Sequence, residues 1–358
     1  MDIEINDHQV SAEEKKISKT LNKFLLIANG VMLAIGNCGG PLILRLYFLK
    51  GGKSVWISSF LQTAGWPFLI FPLFVSYVFR RTKNQASKTE LFYISPRLFV
   101  ACAVIGLLTG LDDFFAAYGV SLLPVSTSAL IIATQLGFTA GFAYILVKQK
   151  FTPYTVNAII LLSIGAVVLV LHASSDRPDH ETNKQYLLGV FMTLGASILY
   201  GFVLPLIELT YKKARQTITY TLVVEMQMVI SFFATAFCAF GMLLHKDFPG
   251  IPREASEFEL GEAKYYLVMV LSAMFWQFFF MGAVGVVFCG SSLLSGIIIA
   301  TLLPVTETLA VWFYHEKFPV EKAISLALSI WGFISYFHGE LQQSKKNNKK
   351  NAVELQGN

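Results

Sequence analysis

The chain holds 358 residues, 54% of them hydrophobic and only 14% charged, with a mean hydropathy of +0.57. Soluble domains carry roughly 25% charged residues, so these are too few to cover a water-facing surface, and the chain reads as an integral membrane protein. The net charge of +5 does not signal nucleic acid, because the basic residues fall in short runs between apolar segments.

Residues 1–23 hold five acids and four lysines ahead of the first apolar run. That mixture fits neither a cleavable signal nor a transit peptide and predicts a retained, disordered cytosolic tail. A span needs about 20 apolar residues. Ten such runs follow, at 24–48, 55–79, 98–121, 123–147, 155–173, 186–209, 219–244, 265–288, 291–313 and 320–337. Span one carries Asn37 at its centre, then Gly39-Gly40-Pro41, where the missing proline N–H predicts a broken helix beside a cavity. Span two centres on Trp66 and Pro67, and span three places Asp112 and Asp113 just past its midpoint. Thr134 and Gln135 lie in span four, Trp276 and Gln277 in span eight, and Thr301 and Glu307 in span nine. Glu225, nearer one end of span seven, reads as snorkelling to the surface, and Glu208 as interfacial. Residues 340–358 predict a second polar tail.

If the N-terminus is inside, the cytosolic segments hold 18 of the 28 lysines and arginines, so both termini are expected in the cytosol. A shift of 167 residues aligns the chain with itself at 12 identities in 38 positions. Ile131-Ile-Ala-Thr134 recurs as Ile298-Ile-Ala-Thr301, and Lys150-Phe151 as Lys317-Phe318. Five spans separate the copies, so the halves insert with opposite orientation. The expected fold is an all-α polytopic membrane protein, with ten transmembrane helices as two inverted five-helix repeats at 24–173 and 186–339. Such repeats mark secondary transporters, whose substrate site lies at mid-membrane where the repeats meet.

A charged side chain at mid-bilayer costs about 2.5–3.5 kcal/mol on insertion scales, so residues that accept this cost are candidates for function. Asn37, Trp66, Gln135, Trp276 and Gln277, with Thr134 and Thr301, make the candidate binding set. Amides offer a donor and an acceptor and indoles a stacking face, which suits a planar heterocycle. Basic residues are missing at that depth, which disfavours phosphorylated substrates. Asp112, Glu307 and Asp113 are candidates for carrying a coupling proton; Asp112 and Asp113 point about 100° apart, so one of them is expected to face the cavity squarely. That divergence also argues against an intramembrane aspartyl protease, whose carboxylates must share a proton. The four cysteines have no metal-ligand spacing, and neither a cofactor nor a metal is expected.

Several stretches carry a resemblance: Asn37-Cys-Gly-Gly-Pro-Leu-Ile-Leu-Arg-Leu-Tyr-Phe48, Gln62-Thr-Ala-Gly-Trp-Pro67, Leu111-Asp-Asp113, Leu123-Pro-Val-Ser-Thr-Ser-Ala129, Leu303-Pro-Val-Thr-Glu307 and His315-Glu-Lys-Phe318. Over about residues 22–339 the chain resembles the plant purine permeases, a branch of the drug/metabolite transporter superfamily. The resemblance implies ten helices in two inverted halves and proton-coupled uptake of adenine-like bases and cytokinins across the plasma membrane. The alternatives are a transporter for another nitrogen heterocycle, alkaloid or pyridoxine-like, and a membrane receptor that does not transport.

Overall fold

A computed structural model describes residues 2–83, 92–122, 131–132, 134–171, 183–314 and 320–356, and the regular elements among them are all helical. In chain order they are α1 (Asp2–Leu49), α2 (Val55–Thr63), a 3-10 turn (Trp66–Leu69), α3 (Ile70–Lys83), α4 (Pro96–Leu122), α5 (Gln135–Val147) and α6 (Pro153–Leu171). They continue as α7 (Asn183–Lys213), α8 (Tyr220–His245), α9 (Gly250–Glu257), α10 (Glu262–Cys289), α11 (Ser292–Tyr314) and α12 (Val320–Gln356). Among the described residues seven stretches are long and apolar enough to cross a bilayer: Thr20–Leu49, Val55–Thr82, Pro96–Gly119, Lys184–Lys213, Tyr220–His245, Glu262–Cys289 and Ser292–Tyr314. The protein is a multi-pass membrane protein. Its outer surface agrees, for Phe71, Phe79, Trp312 and Trp331 stand largely exposed as a lipid-facing surface must.

Local chemistry sets the helix ends. Ser54 caps α2 by accepting from the Ile57 N–H at 3.2 Å, and Thr219 caps α8 by accepting from Leu222 at 3.3 Å. At the other ends of α5 and α8, Lys148 and Lys246 turn the chain out in left-handed conformation, with φ of 53° and 59°.

Proline acts differently from the sequence expectation. Span one does not break: α1 continues as one helix through Pro41. Pro41 leaves the Asn37 carbonyl without its usual donor, and the Thr306 hydroxyl of α11 reaches that oxygen at 3.4 Å. The break occurs in span two instead, where α2 stops at Thr63 and the chain tightens through Trp66-Pro67 before α3. There the freed Thr63 carbonyl accepts from Thr235 of α8 at 2.9 Å. The tails also differ from expectation, because α1 begins at Asp2 and α12 extends to Gln356. Neither tail contains a proline, the one glycine (Gly357) comes only after Gln356, and both tails are rich in helix formers.

The most extensive contacts join α1 to α10, α6 to α12, and α4 to both α7 and α8. Between α1 and α10 the backbones nearly touch: a Cβ at Gly36 would overlap the backbone of Phe279. Small residues at that seam replace a hydrophobic driving force that lipid cannot supply. Polar links fix which helix ends lie together. Tyr220 donates to Asn29 at 2.9 Å, and Glu208, near the end of α7, accepts from Ser292 at the start of α11. This end of the bundle, where the transmembrane part of α1 begins, is called the terminal face below. At the opposite end, Lys50 pairs with Glu259 at 2.8 Å, and the Lys53 N–H donates to Glu254 on α9 at 2.9 Å.

Candidate functional site

Polar side chains that a bilayer excludes converge at mid-bundle around a cavity of about 290 Å³ bounded by α1, α2, α4, α5, α7, α10 and α11. That is the small end of the range for small-molecule sites, about 300–1,000 Å³. Its polar wall is Asn37, Gln62, Asp112, Asp113 and Gln135. Its aromatic wall is Tyr200 of α7 with Trp276, Phe279 and Phe280 of α10. Tyr200 stacks on Phe279 at 5.8 Å between ring centroids, and Trp276 meets Phe279 edge-on at 5.4 Å. Ile299 and Leu303 of α11 supply an apolar face beside Thr306. Gly40 allows the indole its place, since a Cβ there would stand 3.0 Å from the Trp276 ring.

The cavity is acidic and carries no basic group among the described residues lining it. Asp112 and Asp113 are 6% and 3% exposed, and both reach the cavity, which wraps far enough around α4 to meet the two carboxylates. Three buried polar atoms in its wall lack a protein partner: Asp113 Oδ2, the Tyr200 hydroxyl and Trp276 Nε1. An unmet buried polar group costs about 1–3 kcal/mol, and each of these three atoms is closed off in this conformation. The amides of Asn37, Gln62 and Gln135 supply the chemistry to read the edge of a flat ring lying against the aromatic wall.

Residues 24–346 match the family described as purine nucleobase transmembrane transport. The chain belongs to the purine permease family. It is 54% identical to purine permease 3 of Arabidopsis thaliana over 90% of this chain and 92% of that one. It is 51% identical to purine permease 2 of the same plant over 90% and 93%. A solved crystal structure shares the fold at a TM-score of 0.57 and 16% identity, covering 86% of this chain and 96% of that one. A member of the purine permease family is a transporter and not an enzyme.

Within this purine permease, the residues singled out from sequence separate. Asn37, Asp112, Asp113, Gln135 and Trp276 line the cavity together. Trp66 does not; it sits in the 3-10 turn, edge-on to Phe232 at 5.6 Å. Gln277 turns away from the cavity toward α8, where its Oε1 accepts from Ser231 at 3.3 Å. Thr134 and Thr301 spend their hydroxyls on backbone carbonyls one turn back, Ile131 at 2.6 Å and Ile297 at 2.8 Å. Thr301 lies along an apolar groove between α1, α11 and α12 rather than in the cavity. The Glu307 side chain lies outside the described residues, as do the stretches at 123–130 and 315–319.

Gln62 and Tyr200 are among the lining residues that escaped the sequence reading. Gln62 opens the Gln62–Pro67 stretch but stands away from the span centre. Tyr200 does stand at the centre of its span, and the depth criterion applied to phenols as well as amides would have found it. One acid needs correction, and a second, at its expected span end, is tied down by the chain. Glu225 is fully buried and accepts from the Tyr93 and Ile94 N–H groups at 2.7 and 3.1 Å. Glu208 is 5% exposed and accepts from the Ser292 N–H at 2.7 Å and hydroxyl at 2.6 Å, with Lys212 at 2.7 Å. Backbone N–H groups leaving helix starts need acceptors, and these carboxylates fill that need.

Proposed function

We propose that this permease is a proton-coupled symporter. It imports purine bases such as adenine, and purine derivatives such as cytokinins, by alternating access across the plasma membrane with both termini cytosolic. The observation that carries the reading is the cavity itself: amide edges, an aromatic wall and two carboxylates, with no cation among the described lining residues. A neutral planar base fits that chemistry and a nucleotide does not.

Ten spans in two inverted repeats are part of the proposal. Counting α2, its turn and α3 as span two, and leaving the short α9 outside, ten helices stand among the described residues. Exchanging each span for the one five places on turns the α1–α10 contact into α7–α4, and both are among the largest in the bundle. The same exchange maps the α6–α12 and α5–α11 contacts onto themselves. The cavity draws walls from both halves, as a site at a repeat interface must.

In the proposed cycle the base lies against Trp276 and the Tyr200–Phe279 pair, with its edge read by Asn37, Gln62 and Gln135. Asp112 carries the proton, with Asp113 and Glu307 as the other candidate carriers. One charge moving with the base gains about 2.3 kcal/mol per 100 mV of membrane potential, enough to drive accumulation. The test is uptake of radiolabelled adenine and trans-zeatin at external pH 5 and pH 7, in cells lacking base transport of their own. Uptake is expected to rise at pH 5, to collapse with a protonophore and to ignore sodium replacement. Uptake indifferent to pH and protonophore would remove the proton from the mechanism.

A further inference from the structure

On α1 and α4 the cavity lies past the middle of the span as the chain leaves the terminal face, touching Asn37 and Pro41, and Asp112, Asp113 and Ala116. Between it and the terminal face the bundle is packed shut by Leu33, Val203, Leu204, Met226, Val284 and Ile297, each 4% exposed or less. One line of polar residues runs through this apolar plug. Tyr220, Gln227, Ser231 and Thr235 follow one another on α8 at intervals of seven, four and four, which keeps them within about 80° on one face.

A different helix meets the line at each level. Asn29 of α1 accepts from Tyr220 near the terminal face, Gln277 of α10 accepts from Ser231 at mid-depth, and Thr235 donates to Thr63 of α2. Thr63 adjoins Gln62, which lines the cavity. At its centre Gln227 donates to Ser231 at 2.8 Å, yet the Gln227 Oε1 and Gln277 Nε2 atoms have no partner. Both side chains are at least 98% buried. One unmet acceptor and one unmet donor therefore stand together in a sealed, apolar surrounding. Val224 lies on the same face between Tyr220 and Gln227 and is itself buried, so the line does not reach the terminal face in this conformation.

We propose that Gln227, Ser231 and Gln277 form a second polar station for the base, lining its exit toward the terminal face and sealed in the state described here. The inference rests on the alternating-access reading above. A carrier closed on one side must present a wetted path on that side in its other state, and unmet amide groups that cost free energy while sealed are satisfied when that path opens. The station offers the same donor and acceptor pair as the cavity amides, so the same heterocycle edge can be handed from one to the other. Opening requires α8 to part from α10 and α1, along a seam where only Tyr220–Asn29 and Ser231–Gln277 bridge side chain to side chain among the described residues.

The test uses Ser231→Cys in the full chain, with the unsubstituted protein as background for the native cysteines. A membrane-impermeant methanethiosulfonate reagent is applied to right-side-out and inside-out vesicles, with transport of adenine as the readout. Inhibition of at least fivefold from the terminal face, increasing while adenine is being transported, is the expected result. Inhibition only from the opposite face, or from neither face, overturns the station. If Ser231→Cys fails to reach the membrane, Gln227→Cys gives the same reading. A second arm uses Gln277→Leu, which should leave the apparent affinity for external adenine within twofold and slow turnover at least tenfold. Loss of external affinity with unchanged turnover would place Gln277 in the outer site and overturn the proposal. Absence of adenine uptake by the unsubstituted protein would instead sink the transport reading, so the two failures are distinguishable.

Discussion

Two pairs of buried carboxylates occupy the two halves of this bundle, and the chain bonds them to different degrees. Near the terminal face, Glu208 and Glu225 each accept at least two hydrogen bonds, including backbone N–H groups beside helix starts, although Glu225 Oε1 has no partner among the described residues. At the cavity, Asp112 and Asp113 are nearly as buried, yet Asp113 Oδ2 has no partner and neither side chain accepts a hydrogen bond from the described residues. Burial alone therefore says little about role. A carboxylate bonded by the chain through both oxygens, as Glu208 is, ties helices together, whereas one at a cavity that receives no hydrogen bond from the described residues is available to a proton or a ligand.

The largest effect is expected where the carboxylate is unfilled. Asp112→Asn should abolish accumulation of adenine while leaving exchange of preloaded substrate partly intact, because exchange need not return an empty carrier. Counterflow assays beside net uptake read both. Full pH-driven accumulation by this variant would erase the distinction and pass the coupling role to Asp113 or Glu307.

Next comes the polar wall opposite the aromatic one. Gln135→Ala removes an amide from the cavity edge, and loss of one buried hydrogen-bond partner costs about 1–3 kcal/mol. Competition with unlabelled adenine should show affinity weakened roughly 5- to 150-fold at that cost. Wild-type affinity in a variant that reaches the membrane would place the site elsewhere.

For Glu208, bonded through both oxygens, stability rather than transport should change. Glu208→Ala strands the Ser292 N–H and hydroxyl, so it should destabilise the protein by about 1–3 kcal/mol. A lower melting temperature in detergent, with apparent affinity and pH dependence of the surviving uptake unchanged, is the expected pattern. An altered pH profile would instead make Glu208 part of the proton route.

The smallest effect belongs to Trp66. Its ring packs on Phe232 outside the cavity, so Trp66→Phe should leave adenine affinity within twofold by direct binding. A tenfold loss would mean that the turn at Trp66–Leu69 moves into the site during transport.

Much of this protein was determined by sequence alone, because the bilayer enforces it. Apolar length fixes where the chain can cross, and polar residues at span centres stand out against a solvent that cannot hydrate them. Asn37, Asp112, Gln135 and Trp276 could be picked out by depth for that reason. Depth does not fix rotation. Trp276 and Gln277 are neighbours at one level, yet 100° of helix sends one into the cavity and the other to α8. Proline behaves likewise: the sequence shows that Pro41 and Pro67 each free a carbonyl, and only the packed bundle decides the consequence. Thr306 meets one where α1 stays a single helix, and Thr235 meets the other where span two is interrupted. The fate of Glu208 and Glu225 was likewise decided by tertiary structure, since their donors lie 84 and more than 130 residues away in the chain. Hydropathy along the chain records what the membrane demands of each span, and hydrogen-bond satisfaction depends on which spans stand side by side.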